Sequence, residues 1–194
     1  GEIKDKSALT LQTPESFNAR YNIDVRILQE VTAIHPNKKT VSVINLQTKT
    51  SYEESYDALI LSPGAEPVRP AIPGIDSKKV FTLRNIPDTF AIKDFITGHN
   101  AKKAVVVGGG FIGVEMAENL KFAGLDVTLI EMADQIIPPL DYDMAVEVHK
   151  YIQSKGITLE LSSRLTSIQE TETSLSLTIQ KNGTTEEHIS ADFL

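Results

Sequence analysis

Three glycines, Gly108, Gly110 and Gly113, stand at G-x-G-x-x-G spacing within the run KAVVVGGGFIGVEMAENL, residues 103–120. An acid, Glu131, closes the next apolar run. Set between a strand and a helix, that spacing suits a dinucleotide. Gly108 permits a tight turn. Gly110 lets a pyrophosphate approach the backbone, where a Cβ would collide with it. Gly113 lets the helix pack close to the strand. The free N–H groups at the helix start then face the phosphates. Glu131 stands where the ribose-binding acid of a dinucleotide fold is expected. The competing reading is a glycine-rich turn in an α/β domain that binds nothing.

The elements that must position these residues are legible. Residues 104–107 are a short apolar β-branched run, the pattern of a buried parallel strand. From Phe111 the apolar period becomes helical, through Ile112, Met116 and Leu120. Gly124 suits a helix stop. Residues 126–131 read as a second buried strand. Residues 141–155 predict a further helix with Met144, Val148, Tyr151 and Ile152 on its apolar face, stopped by Gly156. Residues 157–161 read as a third parallel strand. Residues 164–169 and 174–180 alternate, and Asn182 with Gly183 marks a hairpin.

Upstream, residues 1–13 are polar without a clear period and read as a start in mid-fold. Thr13 and Pro14 predict the N-cap and first position of a short helix. Residues 23–28, 31–34 and 40–46 read as strands, with 51–54 pairing back in an antiparallel meander. Residues 57–62 read as a buried strand. The proline-rich crossing at 69–74 is the best domain boundary. Residues 80–83 read as extended and 87–97 as a helix.

The 194 residues carry a net charge of -7, which argues against nucleic acid and anionic membranes as partners. No apolar run is long enough to span a bilayer, and no signal peptide opens the chain. Cysteine is absent, so a disulfide or thiolate site within the chain is excluded. A cytoplasmic location is the expectation. His35, His99, His149 and His188 lack metal-ligand spacing, so no metal is expected.

Residues 56–67 (YDALILSPGAEP) resemble the second FAD-domain signature of the pyridine nucleotide-disulfide oxidoreductase family, with Ser62 and Pro63 where Ala-Thr is commoner. Residues 108–118 resemble its NAD(P) signature. The region around Thr13, Pro14 and Glu15, together with Glu30, Val31, Thr82 to Asn85 and Pro138 to Tyr142, looks like coenzyme A-disulfide reductases, those fused to a rhodanese domain in particular. NADH oxidases of the same branch are the next best match.

The resemblance implies a Rossmann-like NAD(P)-binding α/β domain with a parallel sheet and a β-meander over residues 67–194, truncated at its end. The mostly β tail of the first FAD segment would precede it, over residues 1–66. The family's N-terminal FAD glycine motif, redox cysteine, second FAD aspartate motif and dimerisation domain have no counterpart in the chain, so it is expected to be an internal piece of a longer, homodimeric flavoprotein. The implied function is hydride transfer from NADH to FAD, for reduction of coenzyme A disulfide or a persulfide. NADH oxidase or peroxidase chemistry, a cysteine-free flavoenzyme of the ferredoxin-reductase type and a non-catalytic NADH-binding module are the alternatives.

The resemblance also implies roles. Gly108, Gly109, Gly110, Phe111, Ile112, Gly113 and Glu131 would contact NAD. Glu115, on the first helical turn, would order the nicotinamide; the plainer reading is an acid suited to the helix dipole. Ile112 could instead be core. Val31, Ser62, Pro63 and Gly64 would approach FAD, although Val31 reads equally as meander core and the others as a strand-end turn. Thr13 and Arg20 lie near the family's coenzyme A entrance, with a helix cap and a solvated charge as their plainer readings. Glu131 and the lack of a cation among Met132 to Ile137 favour NADH over NADPH.

Overall fold

The computed structural model describes residues 9–194, so most of the polar opening stretch lies outside the described residues. The described chain forms two compact units, one ending at Ala65 and one spanning Glu66–Leu194.

In the first unit, helix α1 (Pro14–Tyr21) starts as expected. Thr13 Oγ1 accepts from Ser16 N at 3.2 Å, and Ser16 Oγ accepts from Thr13 N at 2.9 Å. This reciprocal cap satisfies two amides that the first turn leaves free. Strands β1 (Gln29–His35), β2 (Thr40–Asn45) and β3 (Ser51–Ser55) form the antiparallel meander in the order β1-β2-β3. Val41 and Val43 alternate inward on the central strand.

Two expected strands do not form. Residues 23–28 have no ladder; Arg26 instead bridges Asp24 at 2.7 Å and Glu54 at 2.5 Å. Residues 57–62 are irregular, and Ile60 is 88% exposed. A strand apolar on both faces exists only between neighbours that take its hydrogen bonds. No described residue pairs with it.

The second unit is built on a parallel sheet of β4 (Lys103–Val107), β5 (Asp126–Ile130) and β6 (Thr158–Glu160) in sequential order. Helices α2 (Ile86–His99), α3 (Phe111–Phe122) and α4 (Tyr142–Ser154) belong to the same unit. Strands β7 (Ser163–Glu170), β8 (Leu175–Lys181) and β9 (Thr185–Ala191) form the antiparallel meander that closes it. Pleating divides the core into two layers. Ala104, Val127 and Leu129 pack with Ala117, Leu120 and Ile152 of the helices, whereas Val105 and Ile130 pack with Leu165, Leu175, Leu177 and Ile179 of the meander. Each fully buried aliphatic side chain here contributes about 1.5–3 kcal/mol.

Helices α3 and α4 stop at the expected glycines, whereas α1 and α2 end on Asn22 and Asn100 in the left-handed region. At Gly124 (φ +90°) the amide donates to Lys121 O and that of Leu125 to Leu120 O, the paired bonds of a Schellman ending. Asn182 and Gly183, both at positive φ, turn β8 into β9. The apolar face of α4 differs from expectation. Ala145, His149 and Ile152 are buried, while Met144 and Tyr151 are each 58% exposed. Ala145 is fully buried, so close packing selects the small residue over the larger Met144.

After β9 the chain returns to the free edge of β4. Asp192 N donates to Lys103 O at 2.9 Å and Val105 N to Phe193 O at 3.2 Å. Phe81, within the extended segment expected at 80–83, and Lys79 just before it pair with Leu194 in turn. Strand order therefore reverses at β4: β5 lies on one side and residues 192–194 on the other. Ligands of open α/β sheets bind at the carboxyl end of such a switch point, and that end of β4 is the glycine turn.

Candidate dinucleotide-binding site

Gly108, at φ +107°, turns the chain out of β4, and its amide donates to Ile130 O at 2.8 Å. Gly109 is locked from both sides. Its amide donates to Glu131 Oε2 at 2.6 Å and its carbonyl accepts from Ile137 N at 2.7 Å. A Cβ at Gly109 would stand 2.5 Å from Ile136 Cγ2 and 3.2 Å from Glu131 Cβ. Gly110 is the N-cap of α3 and offers no side-chain cap. Among the described residues the amides of Phe111, Ile112 and Gly113 find no acceptor. A Cβ at Gly110 would meet no protein atom within 4 Å, so the space in front of these amides is open. A Cβ at Gly113 would be driven into the Gly108 carbonyl oxygen. Gly110 thus keeps room for a ligand, and Gly113 keeps helix and turn together.

Glu131 completes the arrangement. Its Oε1 accepts from Ala133 N at 2.7 Å while Oε2 holds Gly109. The carboxylate is half-buried and turned back onto the glycine turn. A carboxylate has about four acceptor sites, so two remain for vicinal hydroxyls. An open apolar hollow of about 570 Å³ lies beside the turn, bordered by Val107, Gly108, Gly110, Ile112 and Gly113 and by Pro67 and Val68 of the same unit.

The loop that follows β5 is held by a residue to which the sequence reading gave no role. Buried His149 on α4 accepts at Nε2 from Ile136 N, at 3.2 Å. Its neighbour Ile137 donates to Gly109, so α4 reaches the turn through one loop. Burial holds the His149 pKa below the ordinary histidine value, with Asp134 opposing more weakly. A folded pKa below about 6.5 means the unfolded chain takes up the proton first. This contribution to stability is present above about pH 6.5 and is lost as pH falls through the lower folded value. In the complete protein, the urea midpoint is expected to drop more steeply between about pH 7.5 and about pH 5.5 than in His149→Gln, which cannot titrate in that range. Parallel slopes would show that His149 carries none of the effect.

The other predicted site residues separate into groups. Phe111 and Ile112 are 60% and 61% exposed, so Ile112 is not core. Glu115 is on the second turn of α3, not the first, because the helix begins at Phe111. It is exposed, and its plain role as a first-turn acid disappears. In the first unit, Val31 is 55% exposed beside a bulge in β1, which removes its reading as meander core. Ser62, Pro63 and Gly64 are exposed in the irregular segment, with Gly64 at φ +77°. Thr13 caps α1, and exposed Arg20 lies over the Tyr21 ring at 5.1 Å. No group of histidine, aspartate or glutamate side chains among the described residues is placed to hold a metal. No helix among them is long and apolar enough to cross a membrane.

A parallel βαβ unit, an uncapped glycine-rich helix start at its switch point and an acid closing the second strand give this unit a Rossmann-like α/β fold, the class of fold that can hold a dinucleotide at this end of the sheet. The family model of pyridine nucleotide-disulphide oxidoreductases matches residues 2–194, and the chain belongs to that family. It is 43% identical over 158 residues to a coenzyme A disulfide reductase of Staphylococcus haemolyticus, covering 81% of this chain and 35% of that protein. The structure of reduced CoADR-RHD from Bacillus anthracis superposes with a TM-score of 0.90 at 44% identity, covering 99% of this chain and 34% of that one. The water-forming NADH oxidase of Lactobacillus brevis, bound to NADH, gives a TM-score of 0.87 at 30% identity, covering 100% and 41%. The chain thus spans 34% to 41% of the length of these relatives.

Proposed function

We propose that residues 67–194 are the NAD(P)-binding domain of an FAD-dependent oxidoreductase, and that residues 1–66 are the tail of its first FAD segment. The protein binds NADH and passes hydride to FAD, for reduction of coenzyme A disulfide or a related persulfide. The observation that carries this reading is Glu131, bonded to the Gly109 amide beside the uncapped start of α3. Pyrophosphate oxygens would take the free amides of Phe111, Ile112 and Gly113. The ribose hydroxyls would donate to Glu131. Exposed Phe111 and Ile112 would cover the pyrophosphate and nicotinamide, and Glu115 would help order that ring. Val31 and the Ser62 to Gly64 turn would approach FAD; Thr13 and Arg20 are weaker candidates for the substrate entrance. NADH supplies a hydride and FAD receives it; this chain's residues orient the donor, and Glu131 disfavours a 2′-phosphate on its ribose.

The chain has no cysteine, so any thiol step must use groups outside these residues. The 194-residue polypeptide by itself is therefore expected to leave coenzyme A disulfide intact in the presence of NADH. The complete protein is expected to show anaerobic bleaching of its flavin by NADH, then release of thiol from coenzyme A disulfide. A flavin that NADH does not reduce would overturn the proposal. Rapid oxygen consumption without thiol release would favour the second reading, an NADH oxidase, which the similarity to the Lactobacillus brevis enzyme supports.

A further inference from the structure

A cation lies beside the end of β5, although none follows it in sequence. Arg164, on β7 and 32 positions beyond Met132, donates from a guanidinium nitrogen to Met132 Sδ at 3.3 Å. The base of the arginine is fixed. Ser163 N donates to Glu131 O at 2.9 Å, and Ser162 N to Ala133 O at 2.8 Å. These two bonds flank Met132, so β7 begins at a set distance from the Glu131 carboxylate. Both side chains are open to solvent, Met132 being 62% exposed.

The guanidinium is poorly satisfied where it lies. Among the described residues it pairs with no carboxylate, and a thioether is a weak acceptor for a charged donor. Nearby Lys181, by contrast, is paired with Glu160 at 2.7 Å. An open, stapled arginine resting on a sulfur is suited to an anion that arrives from solvent. Glu131, the residue that would hold the adenosine ribose, directly precedes Met132, on which Arg164 rests.

We propose that Arg164 is the residue that receives the 2′-phosphate of NADPH. Coenzyme choice is then a balance between two residues. Glu131 rewards the free ribose hydroxyls and repels a phosphate. Arg164 offsets that repulsion from the neighbouring strand, so NADPH is used less well than NADH but is not rejected. This inference rests on the reading of Glu131 as the ribose acid.

The test uses the complete flavoprotein, with steady-state rates for both coenzymes and inhibition by 2′,5′-ADP and 5′-AMP. In Arg164→Gln the ratio of kcat/KM for NADPH to that for NADH is expected to fall roughly tenfold, through KM. The preference of the site for 2′,5′-ADP over 5′-AMP should fall in parallel, and Arg164→Lys should restore part of both. Raising ionic strength should weaken NADPH relative to NADH more in the unmutated protein than in Arg164→Gln, where only the repulsion by Glu131 is left to screen. An unchanged ratio in Arg164→Gln, with Glu131→Ala still weakening NADH, overturns the role of Arg164 alone. If Glu131→Ala weakens neither coenzyme, the ribose site itself is misplaced, and both readings fall.

Discussion

Replacing Glu131 by alanine together with Met132 by arginine is expected to move the complete enzyme from NADH toward NADPH, by about a hundredfold or more in the ratio of kcat/KM. Two effects add. Loss of the carboxylate removes the acceptor for the ribose hydroxyls and the repulsion of a 2′-phosphate. The new guanidinium, beside Arg164, supplies a second charged donor. Each charge-assisted contact is worth about 1.5–3 kcal/mol, and about 1.4 kcal/mol is a factor of ten. The structure adds a complication that the sequence could not show. Glu131 also holds the amides of Gly109 and Ala133, so alanine leaves two donors without their partner and loosens the turn. Glu131→Gln separates charge from geometry, because its amide oxygen can still accept one of these bonds. It should relieve the repulsion of NADPH while losing less NADH affinity than Glu131→Ala. Steady-state rates with both coenzymes decide the matter. Equal use of the two by the unmutated enzyme, or an unmoved ratio in the double variant, would show that Glu131 does not choose the coenzyme.

The glycine turn, the two strands around it and the helix it feeds were legible because their signals are local. Period, β-branching and glycine spacing all lie within residues 103–131. The three misread segments depend on non-local terms. Residues 57–62 have the composition of a buried strand, but a strand requires neighbours, and none of the described residues supplies them. Residues 23–28 alternate correctly yet are held by Arg26 to Asp24 and Glu54, a link that composition does not reveal. The face of α4 was misjudged because Met144 and Tyr151 outweigh Ala145 and His149 on any hydrophobic count, while close approach to the core favours the small residue. His149 and Arg164 act on loops distant in sequence, from α4 and β7. A buried histidine and a lone arginine carry no local pattern, so only the fold connects them to Glu131.

Replacing Gly113 by valine is expected to abolish productive NADH binding without unfolding the remainder of the protein. The Cβ itself, not a rotatable atom, would enter the Gly108 carbonyl oxygen, so no rotamer relieves the clash. Helix α3 must then move off the turn. That movement displaces the amides of Phe111, Ile112 and Gly113 from the open space in front of Gly110. It also strains the contact between Gly109 and Glu131. Overpacking of a fixed backbone contact costs about 1–3 kcal/mol even where relaxation is possible. Here relaxation is what destroys the site, because phosphate binding depends on several amides converging at once. Flavin reduction by NADH in the complete protein should slow by at least about a hundredfold, the equivalent of roughly 3 kcal/mol. The buried meander core of Leu175, Leu177 and Ile179 belongs to a different cluster from the one that Ala117 and Leu120 of α3 join, so hydrogen exchange in β8 should stay protected. Flavin reduction at the unmutated rate would show that α3 does not need its close approach to β4. Loss of protection throughout β8 would show instead that Gly113 serves the fold as a whole rather than the binding site.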